Sequence, residues 1–247
     1  MNTPPVNPPR LKAKNVVVTG ASSGIGKAIA LRLAKQEAFL HLVGRSVDEL
    51  HEIARQARSW GGEADVHEAD LNDDAQLDAF VEQLQREIKA VDILVHSAGV
   101  VALAPVAEAD IADLDHQYRV NLRAPYLLTQ KLLPQIERAK GQIVFINSGA
   151  GLNANPNWSQ YAASKHGLKA LADSLRAEVK PDGVRVISVY PGRTASPMQQ
   201  QVHDMEGKTY DPSRFVQPDD VAAQVLSALA LPPNAAVTDV SIRPGLV

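Results

Sequence analysis

Residues 15–26 read Asn15-Val16-Val17-Val18-Thr19-Gly20-Ala21-Ser22-Ser23-Gly24-Ile25-Gly26. Three successive valines favour extended backbone buried on both faces. The periodicity of residues 24–36 is helical. The glycine-rich segment therefore joins a strand to a helix. Gly20, Gly24 and Gly26 let the chain turn sharply and bring backbone N–H groups close to an anion, with Ser22, Ser23 and Ile25 completing the loop. A pyrophosphate at a helix N-terminus is the ligand this arrangement predicts. A plain glycine-rich turn is the competing reading. The position between strand and helix, at the head of an alternating chain, favours the dinucleotide.

Outward from this segment, short apolar runs alternate with longer amphipathic ones. Strands are predicted at 15–19, 38–43, 64–67, 91–95, 142–146, 184–189 and 237–242. Helices are predicted at 24–36, 47–59, 73–88, 159–179 and 221–230, with one long helical region over 114–139. Alternation of this kind needs right-handed crossovers and parallel strands covered on both sides. The expected fold is α/β: a Rossmann-type, doubly wound, mostly parallel seven-stranded sheet with helices on both faces. Residues 14–247 are expected to form one domain, preceded by a flexible tail over 1–13 that is rich in Pro and Asn at its start.

Composition narrows the function. Of 247 residues, 45% are hydrophobic and 21% charged, as in ordinary soluble proteins. A formal net charge of -3 offers no nucleic-acid surface and no polybasic membrane patch. No run reaches the ~18 apolar residues of a membrane span, and the N-terminus lacks signal-peptide blocks, so a cytoplasmic protein is expected. Cysteine is absent, which removes disulfides, thiolate nucleophiles and Cys-ligated metals. The seven His fall in no ligand spacing, so no metal site is expected.

The second strand ends at Val43-Gly44-Arg45-Ser46. A carboxylate there would hold the ribose 2′-hydroxyl of NAD. Gly44 leaves that place empty, and the Arg45 guanidinium beside Ser46 suits a 2′-phosphate, so NADP(H) is the expected cofactor. A solvated surface Arg is the alternative. Asp70, after the third strand, is placed to accept from the adenine amino group while Leu71 packs on the ring; a helix N-cap region around Asp70 to Asp73 competes with this. Ser97-Ala98-Gly99 ends the fourth strand with small side chains, letting backbone pass near the cofactor.

Tyr161 and Lys165 lie four apart at the start of a helix and share one face. A phenol is a poor base at neutrality, and a nearby ammonium is expected to lower its pKa. The pair makes an acid/base unit. Ser148 lies just past the end of a strand, where ligands bind such sheets, and its hydroxyl is placed to donate to a carbonyl oxygen.

In this order and spacing, TGxxxGxG, Asp70, the set Ser148, Tyr161 and Lys165, and Pro191-Gly192 resemble the short-chain dehydrogenase/reductase family, over about 15–247. The resemblance implies an oxidoreductase acting on a carbonyl or alcohol. It implies that Asn121 is a fourth catalytic member ordering a water near Lys165, and that Lys165, beside Tyr161, holds the nicotinamide ribose. It also implies that Pro191, Gly192 and Thr194 wrap the nicotinamide, with Ser196 an alternative to Thr194, and that the chain forms a homodimer or homotetramer through its two long helices. Ser97 departs from the Asn usual there. The expected substrate is a small apolar or aryl ketone, diketone or aldehyde, bounded by residues 149–160 and 193–217. Those loops carry Trp158, Met198, Tyr210 and Phe215, and Trp158 and Met198 are the proposed substrate contacts. The rival class is a non-catalytic NADP(H)-binding sensor, against which the intact Ser, Tyr and Lys argue.

Overall fold

The computed structural model describes residues 11–245. Seven strands form one wholly parallel sheet: β1 (Asn15–Thr19), β2 (Phe39–Gly44), β3 (Glu63–Glu68), β4 (Ile93–His96), β5 (Gln142–Ile146), β6 (Arg185–Pro191) and β7 (Asp239–Ile242). Their order in space is β3-β2-β1-β4-β5-β6-β7. The direction of winding reverses between β1 and β4, and open sheets of this kind bind ligands in the crevice that such a reversal leaves at the carboxyl ends of the strands.

Eight helices flank or cap the sheet: α1 (Gly24–Ala34), α2 (Val47–Ser59), α3 (Asp74–Glu87), α4 (Ile111–Tyr118), α5 (Ala124–Ala139), α6 (Ser159–Val179), α7 (Pro197–Met205) and α8 (Pro218–Leu229). Alternate residues of each inner strand point to opposite faces, so two cores result. Val16 and Val18 join Ile29 and Leu33 of α1, Ile53 of α2 and Val225 of α8 on one face. Val17 joins Phe80 of α3, Leu128 and Leu132 of α5 and Leu168 of α6 on the other.

Two sequence expectations change. The long helical region over 114–139 is two helices separated by a wide π turn at Arg119–Arg123. Pro125 has no N–H to return to the Asn121 carbonyl four residues earlier, so an uninterrupted α ladder is impossible there. Residues 197–205, read as loop, form α7, started by Pro197 and capped by Ser196, whose Oγ accepts from the Gln199 N–H at 3.2 Å. Of residues 1–13, expected to be a tail, 1–10 lie outside the described residues; Leu11 is buried in the first core, and the Ala13 N–H donates to the Glu37 carbonyl at 2.9 Å. Among the described residues no helix is long and apolar enough to cross a membrane.

Candidate active site

Gly20 adopts φ +65 and Gly24 φ +53, backbone that L side chains rarely adopt. A Cβ on Gly20 would also meet the Ala98 Cα at 2.6 Å, so β1 and β4 close on each other at the reversal point. A Cβ on Gly26 would collide with the Gly20 carbonyl oxygen. The α1 N-terminus has no side-chain cap from Ser23 and no acidic residue in its first turn. Its N–H groups and positive dipole end are thus available to an anion. The residues present fit a dinucleotide pyrophosphate.

A cleft of about 1520 Å3 runs from this loop across the carboxyl ends of the strands. It is walled by Gly20, Ser22, Ser23, Gly24, Ile25 and Gly26, then by Arg45, Ser46, Asp70 and Leu71, and by Ser97, Ala98 and Gly99. Its far end holds Ser148, Tyr161, Lys165, Pro191, Gly192, Thr194 and Ser196. All the sequence-predicted cofactor residues therefore border one cleft.

Arg45 is mostly exposed and lies 3.9 Å from the Asp70 carboxylate, too far for a firm ion pair. Its donors remain available to a phosphate. Asp70 accepts from the Asn72 N–H at 2.9 Å, while the N-cap of α3 is Asp73, which accepts from Ala75 and Gln76. The expected N-cap region around Asp70 to Asp73 is therefore present, with Asp73 as the cap. Leu71 is buried in the second core and shows the cleft only an edge. Ser97 substitutes for the expected Asn without loosening the turn: the Ser97 and Ala98 N–H groups both donate to Thr19 Oγ1, at 3.2 and 3.4 Å.

Ser148 begins a short 3-10 turn, Gly149–Gly151, and its Oγ accepts from the Ala150 N–H at 3.1 Å. Tyr161 and Lys165 lie within the first two turns of α6, 6% and 3% exposed. The Lys165 Nζ donates to the Ile146 carbonyl at 3.1 Å and sits 5.8 Å from the centre of the Tyr161 ring. Burial drives Lys165 toward its neutral form, down to about 8. Burial also pushes the Tyr161 phenol up to about 12, a rise that its hydrogen bond with Ser148 partly opposes. The expected lowering of the phenol by Lys165 is therefore absent. Removal of the phenol from water dominates, and the opposing contribution comes from Ser148, not from Lys165.

Asn121 occupies the π turn and is fully buried. Its amide donates to the Val100 carbonyl at 2.9 Å and to Ser164 Oγ at 3.0 Å, and accepts from the Val100 N–H at 2.8 Å. These bonds fix the segment after β4 against α6 rather than touching Lys165. Asn147 went unnoticed in the sequence. Its Oδ1 accepts from the Ser148 N–H at 2.8 Å, and its Nδ2 donates to the Lys165 carbonyl at 3.1 Å. One buried side chain thus ties the Ser148 strand end to the helix that carries Tyr161 and Lys165. No local pattern marks this, because its partners are 1 and 18 residues away.

Trp158 meets Tyr161 edge-on, with ring centres 5.8 Å apart. Trp158 and Met198 pack with Val101, Ala150, Val202 and Leu103 in a small apolar cluster around Tyr161. Tyr210 and Phe215 do not line the cleft. They stack on each other and meet His203 edge-on, and the Ser196 N–H donates to the Tyr210 hydroxyl at 3.1 Å, bracing α7 from behind. Arg193 donates to both oxygens of Glu206, at 2.7 and 2.9 Å, and so fastens the far end of α7 to the strand end after β6. Thr194 Oγ1 donates to the Gly192 carbonyl at 3.0 Å, whereas the Ser196 hydroxyl is engaged in the α7 cap.

Comparison with known proteins agrees with this geometry. The family model described as short chain dehydrogenase matches residues 14–207. The chain is 34% identical over 239 residues to the glycine betaine reductase ATRR of Emericella nidulans, covering 95% of this chain but only 19% of that protein's length. It is 31% identical over 245 residues to the 3-oxoacyl-acyl-carrier-protein reductase of Thermotoga maritima, covering 96% of this chain and 99% of that one. Among solved structures, a metagenomic short-chain oxidoreductase in complex with NADP superposes with a TM-score of 0.82 at 33% identity, covering 96% of this chain and 100% of its own. The alcohol dehydrogenase of Thermococcus sibiricus, complexed with 5-hydroxy-NADP, superposes at 0.86 with 27% identity, covering 94% and 97%. The chain belongs to the short-chain dehydrogenase family of oxidoreductases, which act between alcohols and carbonyls.

Proposed function

We propose that this protein reduces a small apolar or aryl ketone, diketone or aldehyde to an alcohol with NADPH. The observation that carries this is the buried pair Tyr161 and Lys165, with Ser148 facing the phenol, in a cleft continuous with the α1 N-terminus and Arg45. When bound, the nicotinamide supplies the hydride that adds to the carbonyl carbon. The protein's part is to hold and protonate the oxygen. Ser148 and Tyr161 both hydrogen-bond that oxygen and draw its charge as it develops. A phenol near 12 is protonated throughout the neutral range, which suits Tyr161 to give its proton to the oxygen in the reductive direction. Lys165 then sits close to the phenolate left behind, and its positive charge, largely kept at neutral pH with a value of about 8, stabilises it.

Arg45 supports NADP(H) over NAD(H) by pairing with the 2′-phosphate, and both NADP-bound neighbours support the same choice. Trp158, Met198, Val101 and Leu103 give the substrate end an apolar wall, which supports an apolar or aryl substituent. The test is NADPH oxidation with a panel of ketones, aldehydes, diketones and quinones, repeated with Tyr161→Phe. The variant keeps the ring and loses the proton. It is expected to bind NADPH normally and to lose turnover by roughly 100-fold or more. Turnover near the original rate would remove Tyr161 from the proton path.

A further inference from the structure

On the α3 side of the sheet, His41 of β2 and His67 of β3 face each other, Nδ1 to Nε2 at 3.3 Å. Both are buried, and neither borders the cleft. Phe39 stacks on His41 and Phe80 meets His67 edge-on, so apolar rings flank the pair. A hydrogen bond between the rings satisfies one nitrogen on each. The other two, His41 Nε2 and His67 Nδ1, have no partner. Orphaned buried nitrogens are expensive and rare, and an apolar pair would fill this place without that penalty.

The third member comes from α3. One ligand atom from each of His41, His67 and Glu87 lies within 4.8 Å of the other two. Glu87 ends α3 and is exposed, so the cluster opens to solvent on its carboxylate side. Asp65 stands directly opposite His41 in the β2–β3 ladder, on the same face. We propose that His41, His67 and Glu87 bind one borderline divalent cation of the Zn2+, Co2+ or Ni2+ type, with Asp65 or water in the fourth position.

The geometry fits that class. Two nitrogens at about 2.0–2.1 Å from a tetrahedral centre are ~3.4 Å apart, close to the 3.3 Å between His41 Nδ1 and His67 Nε2, so a cation seated there would take the place of the hydrogen bond between the rings. Two imidazoles and a carboxylate select borderline transition metals over Ca2+ or Mg2+, which prefer oxygen ligands. The ligands are 26 and 20 residues apart in sequence, which is why no spacing motif revealed them. A cation there would clasp the edge strand β3 and the end of α3 to β2, remote from the reacting centre.

The experiment uses the full chain stripped of metal by chelation and titrated with Co2+, whose visible absorption reports tetrahedral coordination. The expected result is a one-to-one endpoint, and a rise in melting temperature when Zn2+ replaces Co2+. His41→Phe and Glu87→Gln should each weaken Co2+ binding by about tenfold or more, while His51→Gln on exposed α2 leaves it unchanged. Glu87 is at the surface, so its variant folds even if the core substitution does not. Failure of the native chain to bind Co2+ at micromolar concentration overturns the proposal. So does binding that survives Glu87→Gln or a folded His41→Phe undiminished.

Discussion

Lys165→Met keeps the aliphatic stem and removes the buried charge. The native ammonium is held at about 8 against an ordinary 10.5. At roughly 1.36 kcal/mol per pH unit, that gap makes the charged side chain about 3 kcal/mol destabilising at low pH. Between pH 8 and 10.5 the unfolded chain holds the proton and the folded chain does not. Native stability therefore rises with pH through this window. The penalty is complete below the folded value and fades as pH passes the unfolded one. Methionine never carries it, but leaves the Ile146 carbonyl without its 3.1 Å donor, a loss of about 1 kcal/mol. The variant should be about 2 kcal/mol more stable than the native protein at pH 7 and about 1 kcal/mol more stable at pH 9. By pH 10.5 the order should have reversed slightly. The assay is urea unfolding of both proteins at those pH values, followed by far-ultraviolet circular dichroism. The change of the difference with pH is independent of the constant packing offset. A difference that stays flat from pH 7 to 10.5 would refute the reasoning and show Lys165 with an ordinary affinity for its proton.

The other expectations concern catalysis. Arg45→Ala removes one charge-assisted partner of the 2′-phosphate, about 1.5–3 kcal/mol, so KM for NADPH should rise roughly tenfold to 100-fold with NADH nearly unaffected; equal rises for both cofactors would dissociate Arg45 from the phosphate. Trp158→Ala should weaken aryl ketones more than short aliphatic ones, by about 0.5–1.5 kcal/mol if the indole stacks on the substituent. A uniform loss across both groups, with NADPH affinity unchanged, would assign Trp158 to supporting the loop.

Local chemistry was legible in the linear chain. The strand–glycine loop–helix unit over Asn15–Thr19 and Gly24–Ala34 is read from a change of period and from residues that tolerate positive φ. Tyr161 and Lys165 share a face because a helix repeats every 3.6 residues. Pro125 was visible too, but the break it forces at Asn121 is decided by which carbonyl loses its donor. Residues 197–205 lack a strong apolar period, and the helix there is held by a cap at Ser196 and by the distant clasp of Arg193 on Glu206.

By itself, then, the sequence determined the layered α/β order, the glycine-rich turn and the candidate proton-transfer groups, all set by spacings of a few residues. Tertiary structure decided what depends on neighbours from elsewhere in the chain. It set Asn147 as the tie between Ser148 and α6. It also raised the Tyr161 phenol where sequence reasoning expected a fall. That reversal has a simple cause: a charge four residues away is written in the chain, whereas the loss of water around a side chain is created only when every other element has packed.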